Sequence, residues 1–320
     1  MPINADKPHL WKADTRASVD QFNQWFMKFA PKAYRETRKQ TIESVGRGLT
    51  LTKDLLTITP EVLKADPGIL PTLRMSTCPP LARDRLIGLA DSTKNVVGCL
   101  EEGKLPVQME AADLDAHLKK ITGILSQMLD VDIFPWFEEK RKPTREERYR
   151  SSTIVADRLC GAVAEPIVRN AQEKRQLALI QKYLEDRGYK LKAHPATTPL
   201  NRMELGTFSF RLNVLVKPST ADAKTVKIPI DAVIQPKTVK LPHLPVLIEA
   251  KSAGDFTNVN KRRKEEATKI NQLKATYGKD VVFVLFLCGY FDAAYLGYEA
   301  AEGIDWIWEH RTHDLDQLGI

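Results

Sequence analysis

The stretch PVLIEAKSAGDF, residues 245–256, begins as a buried strand and ends with residues that can do chemistry. Side chains of an extended chain alternate between faces, so Glu249 and Lys251 share one face while Val246, Ile248 and Ala250 take the other. Upstream, VKIPIDAVIQP (226–236) puts Val226, Ile228 and Ile230 on one face and Asp231 on the opposite one. If the two strands pair antiparallel, Asp231 stands beside Glu249 and Lys251. Two carboxylates on neighbouring strand ends make an oxygen-rich pocket for a hard dication such as Mg²⁺, with the Ala250 carbonyl as a third ligand. A lysine next to such a cation has a use. It positions, or helps deprotonate, a water that attacks phosphorus while the cation stabilises the added negative charge. Taken alone, an aspartate followed later by Glu-x-Lys is most often a solvated strand end or a salt bridge, so the weight must come from the elements around it.

Those elements agree with each other. A long helix is expected over 154–187, bending at Pro166 and ending at Gly188, a residue suited to a helix C-terminus. Strands follow over 207–216, 225–234 and 245–251. Pro229 has no N–H for a ladder, which puts its strand at an edge or a local bulge. A basic helix over 258–277 carries Ala267, Ile270, Leu273 and Tyr277 on one face. DVVFVLFLC (280–288) lacks alternation, as in a strand covered on both sides. The last thirty residues read as helix or loop, with Trp306 and Trp308 packing the tail onto the core or onto a second subunit.

The first 135 residues read as mostly helical, with an aromatic stripe (Phe22, Trp25, Phe26, Phe29) and prolines at 60, 67, 71, 79 and 80 dividing short helices. EEKRKPTREERYR (138–150) holds six basic and four acidic residues and reads as a solvated linker. The expected organisation is a helical region over 1–137 that grips DNA or mediates dimerisation, a linker over 138–152, and an α/β domain over 153–320.

At 43% hydrophobic and 28% charged the composition is that of a soluble globular protein. No apolar stretch resembles a secretion signal or a membrane span, and four scattered cysteines without CxxC spacing read as reduced thiols, so a cytoplasmic location is expected. The net charge of +7 suits a polyanionic partner without requiring one. Gly46 and Gly48 lack the length and strand context of a phosphate loop, and no ATP or methyl-donor site is visible. Lys261, Arg262, Arg263 and Lys264 follow the acidic strand directly and are expected to contact DNA phosphates, which positions DNA without reading it. Asn258 and Asn260 are candidates for base contact.

IPID (228–231) and IEAK (248–251) resemble the two half-motifs of the PD-(D/E)xK nuclease core, with the proline displaced by one position. Over more of the chain, NADKPHLWKAD (4–14), LPTLRMSTCPPLARDRLIGLA (70–90), RLCGAVAEPIVRNAQEKRQL (158–177) and IEAKSAGDFTNVNKRRKEEATKINQL (248–273) resemble the XamI family of type II restriction endonucleases. That resemblance implies Mg²⁺-dependent hydrolysis, with Mn²⁺ as a substitute, of both strands at a short palindrome, GTCGAC in the family's namesake. It implies Asp231, Glu249 and Lys251 as the catalytic trio. Nucleases of this kind often add an acidic residue from the preceding helix, here Glu173 with Glu165 in reserve. A palindrome calls for a two-fold homodimer, and a restriction enzyme needs a DNA methyltransferase encoded nearby. Gln272 and Tyr277 are one residue too far apart for the QxxxY pair many such nucleases carry. Competing readings are a nuclease selecting DNA by shape and a non-catalytic DNA-binding protein.

Overall fold

The computed structural model describes residues 2–195, 199–217, 225–238, 244–257 and 263–320. Asn258, Asn260, Lys261 and Arg262 lie outside the described residues, as does the side chain of Arg263. The chain divides into two compact units, Met1–Phe29 with Arg169–Ile320, and Ala30–Val168. This differs from the division expected from composition. The first 29 residues join the C-terminal unit, and the charged stretch is not a linker throughout, because α7 (Arg145–Asp186) starts inside it. Its start has a local reason: the Thr144 hydroxyl accepts from Glu147 N–H at 3.2 Å while the Glu147 carboxylate accepts from Thr144 N–H at 2.8 Å, a reciprocal cap. Charge there builds a helix start.

The Ala30–Val168 unit is helical, as expected. It contains α2 (Pro60–Ala65), α3 (Leu70–Met75), α4 (Arg83–Leu89), α5 (Lys94–Glu101) and α6 (Ala111–Gln127), with parts of α1 (Pro8–Leu51) and of α7. Its core gathers Leu63, Leu73, Leu86, Val97, Leu118, Ile121 and Trp136, all 1% exposed or less. Among the described residues no helix is long and apolar enough to cross a membrane.

The other unit is mixed α/β. Among the described residues six strands lie in sequence order: β1 (Lys190–Leu191), β2 (Thr207–Val216), β3 (Val226–Gln235), β4 (Val246–Ala253), β5 (Val282–Gly289) and β6 (Asp305–Trp308). β2–β3 and β3–β4 are antiparallel; β4–β5 and β5–β6 are parallel, with α8 (Arg263–Tyr277) and α9 (Ala293–Ala301) as the crossovers. Trp306 and Trp308 are therefore strand residues and not helix or loop, and both are fully buried in the core; a four-residue strand of alternating aromatics is too short to read from periodicity.

The sheet has a core on each face. Leu247, Phe283, Leu285 and Leu287 pack with Ile270 and Leu273 of α8, and Ile248, Val284 and Phe286 pack with Leu177, Ile180 and Leu184 of α7. This explains the unbroken apolar run of β5. Gly289 closes the β4–β5 ladder at φ 103°, where a Cβ would lie 2.1 Å from the Ala253 carbonyl oxygen. Its N–H donates to Ser18 Oγ at 2.7 Å. Gly289→Ala is expected to destabilise the protein by on the order of 3 kcal/mol, read from denaturant unfolding, since it combines a disfavoured φ with a backbone overlap. An unchanged midpoint would contradict that reading.

Candidate active site

The ladder between β3 and β4 is only three residues long, from Ile234↔Val246 to Ala232↔Ile248. Beyond it the strands part, and the next residues along are Asp231 on β3 and Glu249 on β4. The opening is chemically occupied. Asp231 Oδ2 accepts the Ala250 N–H at 2.8 Å, a side chain meeting a backbone donor where the strand pairing has ended. Pro229 thus lies in an interior strand, not at the sheet edge, but past the end of its ladder to β4, so its missing N–H costs nothing on that side.

Asp231 sits at a second irregularity. Its position faces Arg211 on β2, which has φ 52° in mid-strand. The ladder keeps its register on both sides of this residue, yet the two strands exchange faces there. Phe208, Phe210, Ala232 and Ile234 pack on the α7 side, whereas Leu212, Val214, Ile228 and Ile230 pack on the α8 side. Simple alternation through Asp231, assumed from the sequence, does not hold.

Glu249 and Lys251 do share a face, and it is the α8 face. Lys251 Nζ lies 3.3 Å from Glu249 Oε1 and 2.9 Å from Glu266 Oε1 of α8. Glu249 Oε2 in turn meets Lys269 Nζ at 2.8 Å, and Lys269 also donates to the Pro229 carbonyl at 3.2 Å. The result is a line of alternating charge, Glu266, Lys251, Glu249, Lys269, with all four side chains at least four-fifths buried. On the α7 side, Gln176 Nε2 donates to the carbonyls of Lys251 (3.2 Å) and Phe286 (3.1 Å), which fixes the backbone of Lys251.

Burial pushes the Asp231 carboxyl up to about 6; the neighbouring Glu249 and, more weakly, Glu173 add to the rise, against the Ala250 N–H and Lys269. Burial works to lower the Lys251 pKa, but Glu249 and then Glu266 outweigh it and leave it raised, so the ammonium is retained at neutral pH. Lys251 is therefore a charged donor in this state, not a base. Residues 53–308 match the XamI restriction endonuclease family, and that span holds both strands of the opening, α7 and α8.

The chain belongs to the XamI family of restriction endonucleases. It is 56% identical to the type II restriction enzyme SalI of Streptomyces albus G over 317 residues, 99% of each chain. Type II restriction cleavage of double-stranded DNA is therefore its activity, and membership of the XamI family sets aside both the shape-selective nuclease and the non-catalytic binder. Among solved structures, protein VC1899 from Vibrio cholerae aligns over 90% of this chain and 55% of its own, at 13% identity and a TM-score of 0.29, a likeness too weak to carry an inference.

Of the residues singled out from this XamI-family sequence, the structure brings Asp231, Glu249 and Lys251 together. Glu173 lies on α7 close enough to raise the Asp231 pKa, and its carboxylate accepts from Arg211 Nη2 at 2.7 Å and Nε at 3.1 Å. Glu165 is exposed and belongs to the Ala30–Val168 unit. Lys264 is exposed on the first turn of α8. Tyr277 donates to the Leu215 carbonyl at 2.6 Å, a packing role. Sequence reasoning missed Glu266, Gln176 and Arg211, and counted Lys269 only as part of a basic helix. One signal was present: Glu266 continues the stripe 266, 270, 273, 277 of α8, where a core-facing helix wants an apolar residue. Nothing in the local sequence marks Arg211.

Proposed function

We propose that this enzyme cuts both strands of DNA at the palindrome GTCGAC or a close relative of it, with Mg²⁺ held by Asp231, Glu249 and the Ala250 carbonyl, and with Mn²⁺ as a substitute. The observation that carries this reading is the parting of β3 and β4 at Asp231 and Glu249, which leaves Asp231, its proton affinity raised by burial and by Glu249, beside a retained ammonium. Such a pair of carboxylates fits a hard dication, which relieves the repulsion between the two. Among the described residues no three His, Cys, Asp or Glu side chains gather as a metal cage. Mg²⁺ asks for no more than one or two carboxylates, keeping waters for its other positions. When bound, the dication supplies Lewis acidity toward the phosphoryl oxygens and the incoming nucleophile.

The chain's own residues do the rest. Lys251, charged and held from two sides, donates toward the attacking water or a non-bridging phosphoryl oxygen, so that negative charge developing on phosphorus meets a fixed cation. Glu173 is the additional acidic residue of α7, oriented by Arg211. α7, the β2–β3–β4 antiparallel strands, α8 and parallel β5 together supply the framework of a PD-(D/E)xK core. Lys264 and the basic residues around the start of α8, Lys261, Arg262 and Arg263, contact the DNA backbone, with Asn258 and Asn260 toward the bases. The helical N-terminal region grips DNA or joins two copies. A palindromic target calls for a homodimer with one active site per strand, and a cognate methyltransferase protects the host's sites.

The test is digestion of a plasmid and a long viral DNA with Mg²⁺ and with EDTA. Discrete fragments ending within GTCGAC are expected with Mg²⁺, and none with EDTA. Smeared products, or cleavage that persists in EDTA, would defeat the proposal.

A further inference from the structure

We infer that Glu266 is a positioning residue for Lys251: a carboxylate reserved on α8 to hold the ammonium in place for the reaction. The inference rests on the reading that Lys251 is catalytic. A lysine head on a four-carbon stem has many rotamers, so a working position needs an anchor outside its own strand. Glu249 is a poor anchor. It shares its carboxylate between Lys251 and Lys269, and in the proposed reaction its oxygens turn to the cation.

Among the described residues Glu266 has no competing duty. It is 2% exposed, meets Lys251 Nζ at 2.9 Å, and among the described residues neither of its oxygens accepts a conventional hydrogen bond from any other group. Its place on the helix sharpens the point. Ile270 and Leu273 on the same stripe are 2% and 0% exposed and serve the core. A carboxylate buried in such a row carries a desolvation cost that an apolar residue would avoid, offset only by the ammonium it faces. Packing alone gives no reason for glutamate there; holding Lys251 does. With the Lys251 carbonyl fixed by Gln176 from the opposite face, the residue is held at its backbone and at its head by two different helices.

The experiment compares Glu266→Ala, Glu266→Gln and Lys251→Ala with the wild-type enzyme. Single-turnover cleavage of a duplex carrying the site is followed with Mg²⁺, and affinity for the same duplex is measured with Ca²⁺, a hard cation of looser geometry. Loss of the anchor lets the reacting group drift by about an ångström, which costs roughly 100-fold in rate. Glu266→Ala is expected to slow cleavage by about that factor with duplex affinity within threefold of wild type. Glu266→Gln, which keeps an acceptor oxygen at the same reach, is expected to recover part of the loss. If the alanine variant does not fold, the glutamine variant decides alone, at about a tenfold loss with affinity kept. Cleavage within threefold of wild type in the variants that fold, or a parallel loss of affinity and rate, would overturn the inference. So would a glutamine variant no faster than alanine. Lys251→Ala separates the two levels: if it cuts at the wild-type rate, the assignment of Lys251 itself fails, whatever Glu266 does.

Discussion

Asp231→Asn is expected to lose cleavage and, without divalent ions, to be more stable than the wild type at pH 8. The two effects share one cause. Asp231 is held where burial and the neighbouring Glu249 both disfavour its charge, so its pKa rises from the ordinary 3.8 to about 6. A folded state that holds a proton more tightly than the unfolded chain draws stability from it below about pH 4, and loses that stability as pH climbs through about 6. At pH 8 the ionised group is a burden on the order of 1–3 kcal/mol. Asparagine is neutral at every pH and keeps an oxygen to accept the Ala250 N–H. Thermal unfolding in EDTA should thus give similar wild-type and variant stabilities near pH 4, with the variant pulling ahead as pH passes 6. Cleavage should fall by roughly 10³-fold or more, since a cation ligand supplies several kcal/mol of transition-state stabilisation. A variant no more stable at pH 8 than at pH 4, relative to wild type, would show that the carboxylates do not strain each other.

That strain also marks how far the site can be read from the chain alone. The strand over 207–216 is legible because ten residues of mixed burial run between clear breaks, and Glu249 and Lys251 are legible because a two-residue spacing on a strand has one geometric outcome. The order β2, β3, β4 and the α8 crossover to β5 follow from short connections and from helix and strand patterns that differ in period. What escaped depends on long-range contact. The exchange of faces at Asp231 comes from the left-handed backbone of Arg211, a residue type that gives no warning of φ 52°. Glu266 and Lys269 reach the site only because α8 lies across the end of β4, so their role is invisible until the helix is placed. β6 was hidden for another reason: at four residues, its burial is set by the parallel neighbour β5 rather than by its own pattern. The charged start of α7 read as linker because a reciprocal cap and a surface loop draw on the same residue types.

Lys251→Ala should also abolish cleavage, with the opposite effect on stability. Its ammonium stands between Glu249 and Glu266, whose side chains are 12% and 2% exposed. Truncation leaves Glu249 with Lys269 and leaves Glu266 facing no cation among the described residues. Removing one member of a buried ion pair costs about 3–5 kcal/mol, because the remaining charge keeps its desolvation penalty without the attraction that offset it. Partial access of solvent to Lys251 places the expected loss near the lower end, about 3 kcal/mol. The double variant Lys251→Ala/Glu266→Gln then becomes decisive. Removing the stranded charge should return more than 1 kcal/mol of the lost stability while cleavage stays absent, a non-additivity that arises only if the two groups interact directly. Denaturant unfolding of the four proteins completes the cycle. Simple additivity would mean that the 2.9 Å contact carries no net energy. With Asp231→Asn, the series pulls apart two things that a loss of activity alone would merge. One buried charge in this site stands at the expense of stability, as the proposed cation site requires, and another is stabilised, as the proposed role of Lys251 requires.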